Sequence, residues 1–217
     1  MNLAPTKKKI GDFFVMNGWA IALIALLSYA SFYWGLNAID SIKSYEKIDY
    51  FFENYGLKDN TLSKDTIALL KDKGVLQSNL YDVSPTSSIK SEQYSKFGAY
   101  SDLCVLNQND MDDMVEVIGD NFMPLDVTFK AKYTEGLQKN YSFFSAYATD
   151  YAIKIYDPND ATYSSQFTYS NLLTFTKENV TPIAYYLCIP LKSVNYGATT
   201  SNGFTALNFF LKTYEAV

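Results

Sequence analysis

The order of apolar and polar residues divides the chain into an N-terminal apolar stretch and a longer patterned region. No charged residue occurs between Phe13 and Ile39, a run of 27 positions. A membrane-spanning helix needs about 20 mostly apolar residues, so this run predicts a transmembrane helix over residues 13–39. The side chains expected to anchor it are large and apolar or aromatic: Trp19, Leu23, Leu26, Leu27, Tyr33 and Trp34.

Charges on the two sides of this run predict the orientation of the chain. Lys7, Lys8 and Lys9 precede it, whereas a mixture of acidic and basic residues follows it. The positive-inside rule then places residues 1–12 in the cytoplasm and residues 40–217 outside the cell membrane. Because the apolar run exceeds the roughly 7–15 residues of a cleaved signal peptide, an uncleaved signal anchor is favoured. The pattern predicts a single-pass protein of the cell membrane.

Beyond residue 40, apolar runs alternate with amphipathic segments. Strands are predicted over residues 48–52, 75–83 and 103–106, and helices over residues 63–73 and 110–118. This alternation predicts one extracytoplasmic α/β domain with a mixed, largely parallel sheet. Further predicted elements are strands at 127–133, 151–156 and 183–191, and a last helix that begins at Ser201 or Asn202.

Two residue types, His and Arg, are absent from the chain, and their absence excludes several kinds of catalytic and metal-binding site. The chain has no His, and all 18 basic residues are Lys. Ser-His-Asp and Cys-His catalysis and His-ligated zinc sites are therefore excluded, and the net charge of −5 argues against nucleic acid as a partner. The acidic run at residues 110–116 does not follow the ligand spacing of a calcium loop. We expect no catalytic residue, no cofactor and no metal ion.

The two cysteines, Cys104 and Cys188, each lie inside a short apolar run. An oxidising compartment would allow them to form a disulfide. Two cysteines do not make a disulfide scaffold, however, and small buried apolar side chains are the favoured interpretation.

Three short segments resemble a known family. The strand Asp102-Leu103-Cys104-Val105-Leu106 follows two strand–helix units, Phe122-Met123-Pro124-Leu125-Asp126 comes after it, and residues 151–156 precede a turn. This order is similar to that of extracellular solute-binding proteins of the type II periplasmic-binding fold. The resemblance implies a ligand-binding α/β fold, in a membrane-anchored and shortened form. It identifies no binding residue by position.

Aromatic residues supply the candidate ligand contacts. The chain has 19 Tyr and 15 Phe, most of which are expected to pack or to form strands. Some could instead line a groove for a small molecule, a sugar or a peptide, and the candidates are Tyr94, Phe143, Phe144, Tyr185 and Tyr186.

Three functional hypotheses follow from these patterns. The leading one is a non-catalytic, membrane-anchored binding module with the lipid bilayer as one partner, in a bacterium with an AT-rich genome. An accessory or scaffold subunit of a membrane transport or secretion complex is the second, with helix–helix contacts through small residues such as Ala22 and Ala25. A carboxylate-based cell-wall hydrolase is the third.

Overall fold

The computed structural model describes residues 17–20, 22–34, 42–59, 61–126, 129, 141–160, 163, 172–196 and 201–214. The chain divides into two compact units, Met1–Ile42 and Lys43–Val217. Most of the predicted strand at 127–133 lies outside the described residues, as do residues 1–12 and 35–39.

The predicted transmembrane helix is wrong. Residues 17–20 and 22–34 are helical. Across the described residues, no helix combines the length and the apolar character that crossing a membrane requires.

This finding also corrects the predictions that depended on the helix, namely single-pass topology and a cell-membrane location. The predicted anchor residues lie in the helical segment with more than half of each side chain exposed: Trp19, Leu23, Leu26, Leu27, Tyr33 and Trp34.

The unit from Lys43 to Val217 is built around a six-stranded sheet in the order β2-β1-β3-β6-β5-β4. The strands are β1 (Lys47–Glu53), β2 (Gln77–Val83), β3 (Leu103–Asn107), β4 (Phe143–Ala146), β5 (Thr149–Tyr156) and β6 (Tyr185–Cys188). Strand β1 pairs in parallel with β2 and β3, whereas the pairings β3–β6, β6–β5 and β5–β4 are antiparallel. The predicted α/β class and mixed sheet are confirmed, but the sheet is not largely parallel, because only two of these pairings are.

The helices of this unit follow the strands in the predicted alternation. They are α1 (Leu62–Leu70), α2 (Lys90–Lys96), α3 (Gln108–Asp113), α4 (Ile118–Asn121) and α5 (Asn202–Tyr214), with short 3-10 turns at 44–46, 71–73, 98–100 and 115–117. Helix α1 continues into its 3-10 turn and ends at Gly74, whose φ of 84° is the left-handed conformation that glycine adopts without strain.

Side chains of β1 alternate between two cores, one on each face of the sheet. Ile48, Tyr50 and Phe52 pack with α1 and α5 in the larger core, while Phe51 faces the other side with α3. Strands covered on both faces read as continuous apolar runs rather than as alternating patterns. Helices on both faces make this unit a three-layer α/β arrangement.

The cysteines occupy directly opposed positions on antiparallel strands. Cys104 of β3 pairs in register with Cys188 of β6, and both are free, fully buried thiols. Burial raises the pKa of both thiols well above its ordinary value. The prediction that they serve as small buried side chains rather than as a disulfide is confirmed.

The strand order determines which polar residues lie at each of the two edges of the sheet. Because β6 runs antiparallel to β3, the chain leaving β6 returns to the edge where β1 and β3 begin, which we call the amino edge. The opposite edge, where β1 and β3 end at Glu53 and Asn107, is the carboxyl edge. Ligands of open α/β sheets usually bind at the carboxyl edge, between neighbouring strands whose connections leave in opposite directions, and β1 and β3 are such a pair.

Candidate functional site

Four polar side chains meet at the carboxyl edge and form what we call the carboxyl-edge cluster: Glu53, Lys90, Asn107 and Asp110. The Glu53 carboxylate is fully buried and accepts hydrogen bonds from the backbone N (2.9 Å) and Nδ2 (2.7 Å) of Asn107. Nζ of Lys90 lies 3.1 Å from Oε1 of Glu53 and donates to both Asp110 oxygens at 2.7 and 2.8 Å. One lysine therefore joins two carboxylates.

The cluster originates in the local sequence of α3. Asn107 is the N-cap of this helix, and its Oδ1 accepts a hydrogen bond from the backbone N of Asp110 at 3.0 Å. Burial and the nearby Asp110 carboxylate raise the pKa of Glu53 above its ordinary value. Each member of the cluster is already paired with another member, so the arrangement braces the ends of β1 and β3.

A small pocket of about 230 Å³ lies beside this cluster. Lys90 and Asp110 line it, together with Tyr94, whose ring meets that of Phe51 edge-on at 5.9 Å. Asp113 is the third charged residue that lines it. Lys90 and Asp110 are both engaged in the carboxyl-edge cluster, so a ligand that used either of them would have to break an existing pair.

The amino edge carries a larger polar pocket of about 320 Å³, which we call the amino-edge pocket. It is lined by Ser44, Lys47, Asp49, Lys96, Tyr100, Asp102, Lys192, Val194 and Asn195. Two carboxylates, those of Asp49 and Asp102, are almost fully buried in its wall. Because a buried charge requires compensating partners, the contacts of these two acids determine how the pocket is built.

Asp102 is held by three hydrogen bonds from two other segments of the chain. Its Oδ2 accepts from the backbone N of Asp49 at 2.8 Å, and its Oδ1 accepts from Nδ2 of Asn195 at 3.0 Å and from the Ser193 hydroxyl. Asp49 is itself paired with Lys47, with Nζ 2.9 Å from Oδ2. This network joins the starts of β1 and β3 to the segment that follows β6.

Asn195 contributes an acceptor that the network leaves unused. The residue is only 1% exposed, and its Nδ2 donates to the backbone O of Lys47 at 2.8 Å as well as to Asp102. These two acceptors determine which end of the amide faces them. Within the described residues, Oδ1 of Asn195 has no hydrogen-bond partner. A buried acceptor without a partner is rare in native proteins and requires an explanation.

Two lysines at the rim of the pocket have no acidic partner. Nζ of Lys192 lies 4.9 Å from the centroid of the Tyr100 ring, and Nζ of Lys96 lies 5.2 Å from that of Phe97. In the part of the chain that the structure describes, neither ammonium group forms a salt bridge. The pocket is therefore lined by two lysines that have no acidic partner among the described residues.

Burial of Asp102 makes stability dependent on pH. Desolvation raises its pKa from 3.8 to about 6, so the folded protein holds this proton more tightly than the unfolded chain does. The stabilising contribution is complete below pH 3.8 and is lost as the pH rises through about 6. Relative to Asp102→Asn, the free energy of unfolding of the natural protein should fall by about 3 kcal/mol between about pH 3.5 and about pH 7.

Urea unfolding of both proteins, followed by far-UV circular dichroism at several pH values, measures this difference. The Asn variant cancels the contributions of all other titrating groups, because it differs only at this position. A difference that stays constant over this pH range would contradict the prediction.

The aromatic residues predicted to bind a ligand are not brought to one groove. Tyr185 is fully buried in the larger core against Phe175, with ring centroids 4.9 Å apart. Tyr186 faces the other core, where its hydroxyl donates to Gln108 at 2.6 Å and its ring meets that of Phe144. Of the other three, Phe143 packs against the larger core, Phe144 packs against the second core, and Tyr94 lines the small pocket at the carboxyl edge. Their role in binding remains a prediction.

One of the two close carboxylate pairs that a hydrolase could use is Glu53 with Asp110, at the carboxyl edge; the other, Asp49 with Asp102, is almost fully buried at the amino edge. Glu53 and Asp110 do not face each other across an open groove, because Glu53 is fully buried and Lys90 joins the two. Among the described residues, no group of three or more acidic or cysteine side chains is placed to hold a metal ion.

The residues of the amino-edge pocket were not among the predicted site residues, although the positions of two acids in the sequence indicate a buried polar network. Asp49 interrupts an otherwise apolar strand, and Asp102 directly precedes another. An acid beside a buried strand needs a partner, so both positions mark a buried polar network. Lys96, Lys192 and Asn195 carry no comparable signal, because only the fold brings them to this edge.

Comparisons with protein-family models, with curated proteins and with solved structures find no match to this chain.

Proposed function

We propose that the unit from Lys43 to Val217 is a non-catalytic binding module that takes a small anion in the amino-edge pocket. The observation that carries the proposal is the pair Lys96 and Lys192, two ammonium groups that line one pocket and have no acidic partner in the described part of the chain. An anion in this pocket would gain charge-assisted hydrogen bonds from these lysines.

The dimensions and surroundings of the pocket support a small ligand. Ligand pockets usually measure about 300–1,000 Å³, and the 320 Å³ of this one lies at the lower end of that range. The whole chain carries a net charge of −5. Because this overall charge repels anions at long range, affinity for an anion has to arise from the local pair of lysines.

The binding mode assigns separate roles to the residues of the pocket. Lys96 and Lys192 hold the anion, Asn195 and Asp102 form the inner wall, and Tyr100 lies beneath the ammonium group of Lys192. Both oxygens of Asp102 already accept hydrogen bonds. We therefore assign Asp102 a structural role in the wall rather than a step in a reaction.

Calorimetric titration of the full chain with phosphate, acetate and glycerol tests the proposal. We expect phosphate and acetate to bind and neutral glycerol not to bind. Lys96→Ala and Lys192→Ala should each weaken phosphate binding about tenfold, which corresponds to about 1.4 kcal/mol, and added salt should weaken it further.

Lys64→Ala is the matched control, because Lys64 is an exposed lysine of α1 outside the pocket. This variant should bind phosphate as the natural protein does. If neither anion binds, or if Lys64→Ala weakens binding as much as the pocket variants do, the proposal is wrong.

A further inference from the structure

A second cavity lies where α1 and α5 meet on one face of the sheet. It is an open groove of about 450 Å³, lined by Leu69 of α1 and by a row of residues along α5 that includes Phe204, Thr205, Phe209 and Lys212. We call it the α1–α5 groove. It shares no lining residue with the amino-edge pocket, so a ligand bound here would be independent of the anion proposed above.

Helix α5 carries apolar side chains on two neighbouring rows. Leu207, Phe210 and Leu211 are fully buried and fill the larger core. The row beside them, which holds Phe204 and Phe209, is only half-buried and lines the groove. A helix at the surface of a globular protein normally turns polar residues toward solvent. Two phenylalanines in the groove-facing row therefore indicate a surface that receives an apolar partner.

The α1 side of the groove is apolar as well. Leu69, in the last turn of α1, is 46% exposed, whereas its neighbour Leu70 is fully buried in the core. The two sides are joined near the start of α5, where Nζ of Lys73 donates to Oγ1 of Thr205 at 2.9 Å. An apolar chain in the groove would contact Leu69 as well as the phenylalanines of α5, and all three side chains are accessible to it.

The charge at the groove has one sign. Lys212 lines it, is exposed, and forms no salt bridge with any described residue. The nearby Lys73 is engaged with Thr205, which leaves Lys212 as the uncommitted cation. Among the described residues that line the groove, none is acidic. The groove therefore favours a ligand with an anionic group over one with a cationic group.

We infer that the α1–α5 groove binds a medium-chain fatty acid, with its alkyl chain along Leu69, Phe204 and Phe209 and its carboxylate beside Lys212. This is a second site with a different ligand class, because most of the affinity comes from apolar contact. A volume of about 450 Å³ lies within the usual range of a small-molecule site. From Phe204 to Lys212 the helix extends about 12 Å at 1.5 Å per residue, which gives an alkyl chain room to lie extended.

Calorimetric titration of the full chain with hexanoate, octanoate and decanoate tests the apolar contribution, each below the concentration at which it forms micelles. Burial of methylene groups is favourable, and an open groove covers only part of the chain. Each pair of added methylenes should therefore tighten binding about fourfold or more. An affinity that does not rise from hexanoate to octanoate would overturn the inference.

Octylammonium tests the anionic group, because it has a chain of the same length as octanoate and the opposite charge. It should bind at least fivefold more weakly than octanoate. Lys212→Gln should weaken octanoate binding about threefold, as expected for the loss of one exposed ion pair, and should reduce the preference over octylammonium. Lys64→Gln is the matched control, because Lys64 is an exposed lysine of α1 outside the groove. Equal affinities for octanoate and octylammonium would overturn the assignment of an anionic ligand.

Leu69→Gln locates the alkyl chain in the groove. Because Leu69 is already half-exposed, its replacement leaves the core intact and should weaken octanoate binding about fivefold. Leu76→Gln is the matched control, since Leu76 is 60% exposed and lies outside the groove. If Leu76→Gln weakens binding as much as Leu69→Gln does, the inference is wrong.

The experiment also separates the groove from two other places where octanoate could bind. The helical residues 17–20 and 22–34 expose apolar side chains and include both tryptophans of the chain, Trp19 and Trp34. Binding there would change tryptophan fluorescence and would not respond to Leu69→Gln, an outcome that overturns the inference. Lys96→Ala should weaken acetate binding without weakening octanoate binding. Octanoate binding that is lost in Lys96→Ala would place the ligand in the amino-edge pocket and overturn the inference, while leaving the proposed function in place.

A second copy of the chain is the other occupant that the groove could accept. Sedimentation velocity of the natural protein and of Leu69→Gln, without ligand, tests this. We expect the same oligomeric state for both proteins. A dimer that Leu69→Gln dissociates would show that the groove is an interface between copies and would overturn the inference.

Discussion

Replacement of Glu53 by alanine is expected to lower the free energy of unfolding by about 3–5 kcal/mol, the usual cost of breaking a buried charged pair. Glu53 is fully buried and is the acceptor for the backbone N–H of Asn107, for its Nδ2 and for Nζ of Lys90. The variant leaves these donors without their acceptor and leaves a cavity between the ends of β1 and β3.

Urea unfolding followed by far-UV circular dichroism measures the change. Glu53→Gln keeps the size of the side chain and one acceptor oxygen, so its loss should be smaller, about 1–3 kcal/mol. Glu116→Ala serves as the control, because Glu116 is exposed and its replacement should change stability by less than about 0.5 kcal/mol. A Glu53→Ala protein as stable as Glu116→Ala would show that the cluster does not brace the sheet.

Asp102→Ala should also destabilise the protein at the opposite edge of the sheet, by about 1–3 kcal/mol for each buried donor that is left without its acceptor. The variant removes the acceptor for the backbone N of Asp49, for Nδ2 of Asn195 and for the hydroxyl of Ser193. Since Asp102 is only 3% exposed, water cannot easily replace these lost bonds.

The same urea experiment tests this prediction, with Asp120→Ala as the control because Asp120 is an exposed acid. A stability loss below about 0.5 kcal/mol would mean that Asp102 is not the centre of the amino-edge network.

The spacing of apolar residues and the helix-ending residues predicted strands and helix ends correctly where a short segment determines its own structure. The apolar positions of β1 and β5 predicted strands, and the structure places strands at 47–53 and 149–156. Gly74 after Lys73 predicted the end of the first helix, and Asn202 begins the last one. These features depend on side-chain spacing and on backbone preferences within a few residues.

Predictions from apolar runs were wrong where the structure depends on more than the run itself. The uncharged run at 13–39 predicted a transmembrane helix, but no helix of the described residues has the length and apolar character that one requires. Similarly, the apolar run at 103–106 predicted a largely parallel sheet. Strand β3 pairs in parallel on one side only, because its other neighbour β6 arrives from the opposite direction.

By itself, the sequence determined the α/β class, the order of strands and helices in the first half of the larger unit, and the exclusion of histidine and arginine chemistry. The tertiary structure alone decided the candidate site. Asp102 meets Asp49 across 53 positions of sequence and Asn195 across 93, and the antiparallel β6 returns Asn195 to the edge where β1 and β3 begin. No local preference encodes such a meeting, because it follows from how strands of distant origin align in one sheet.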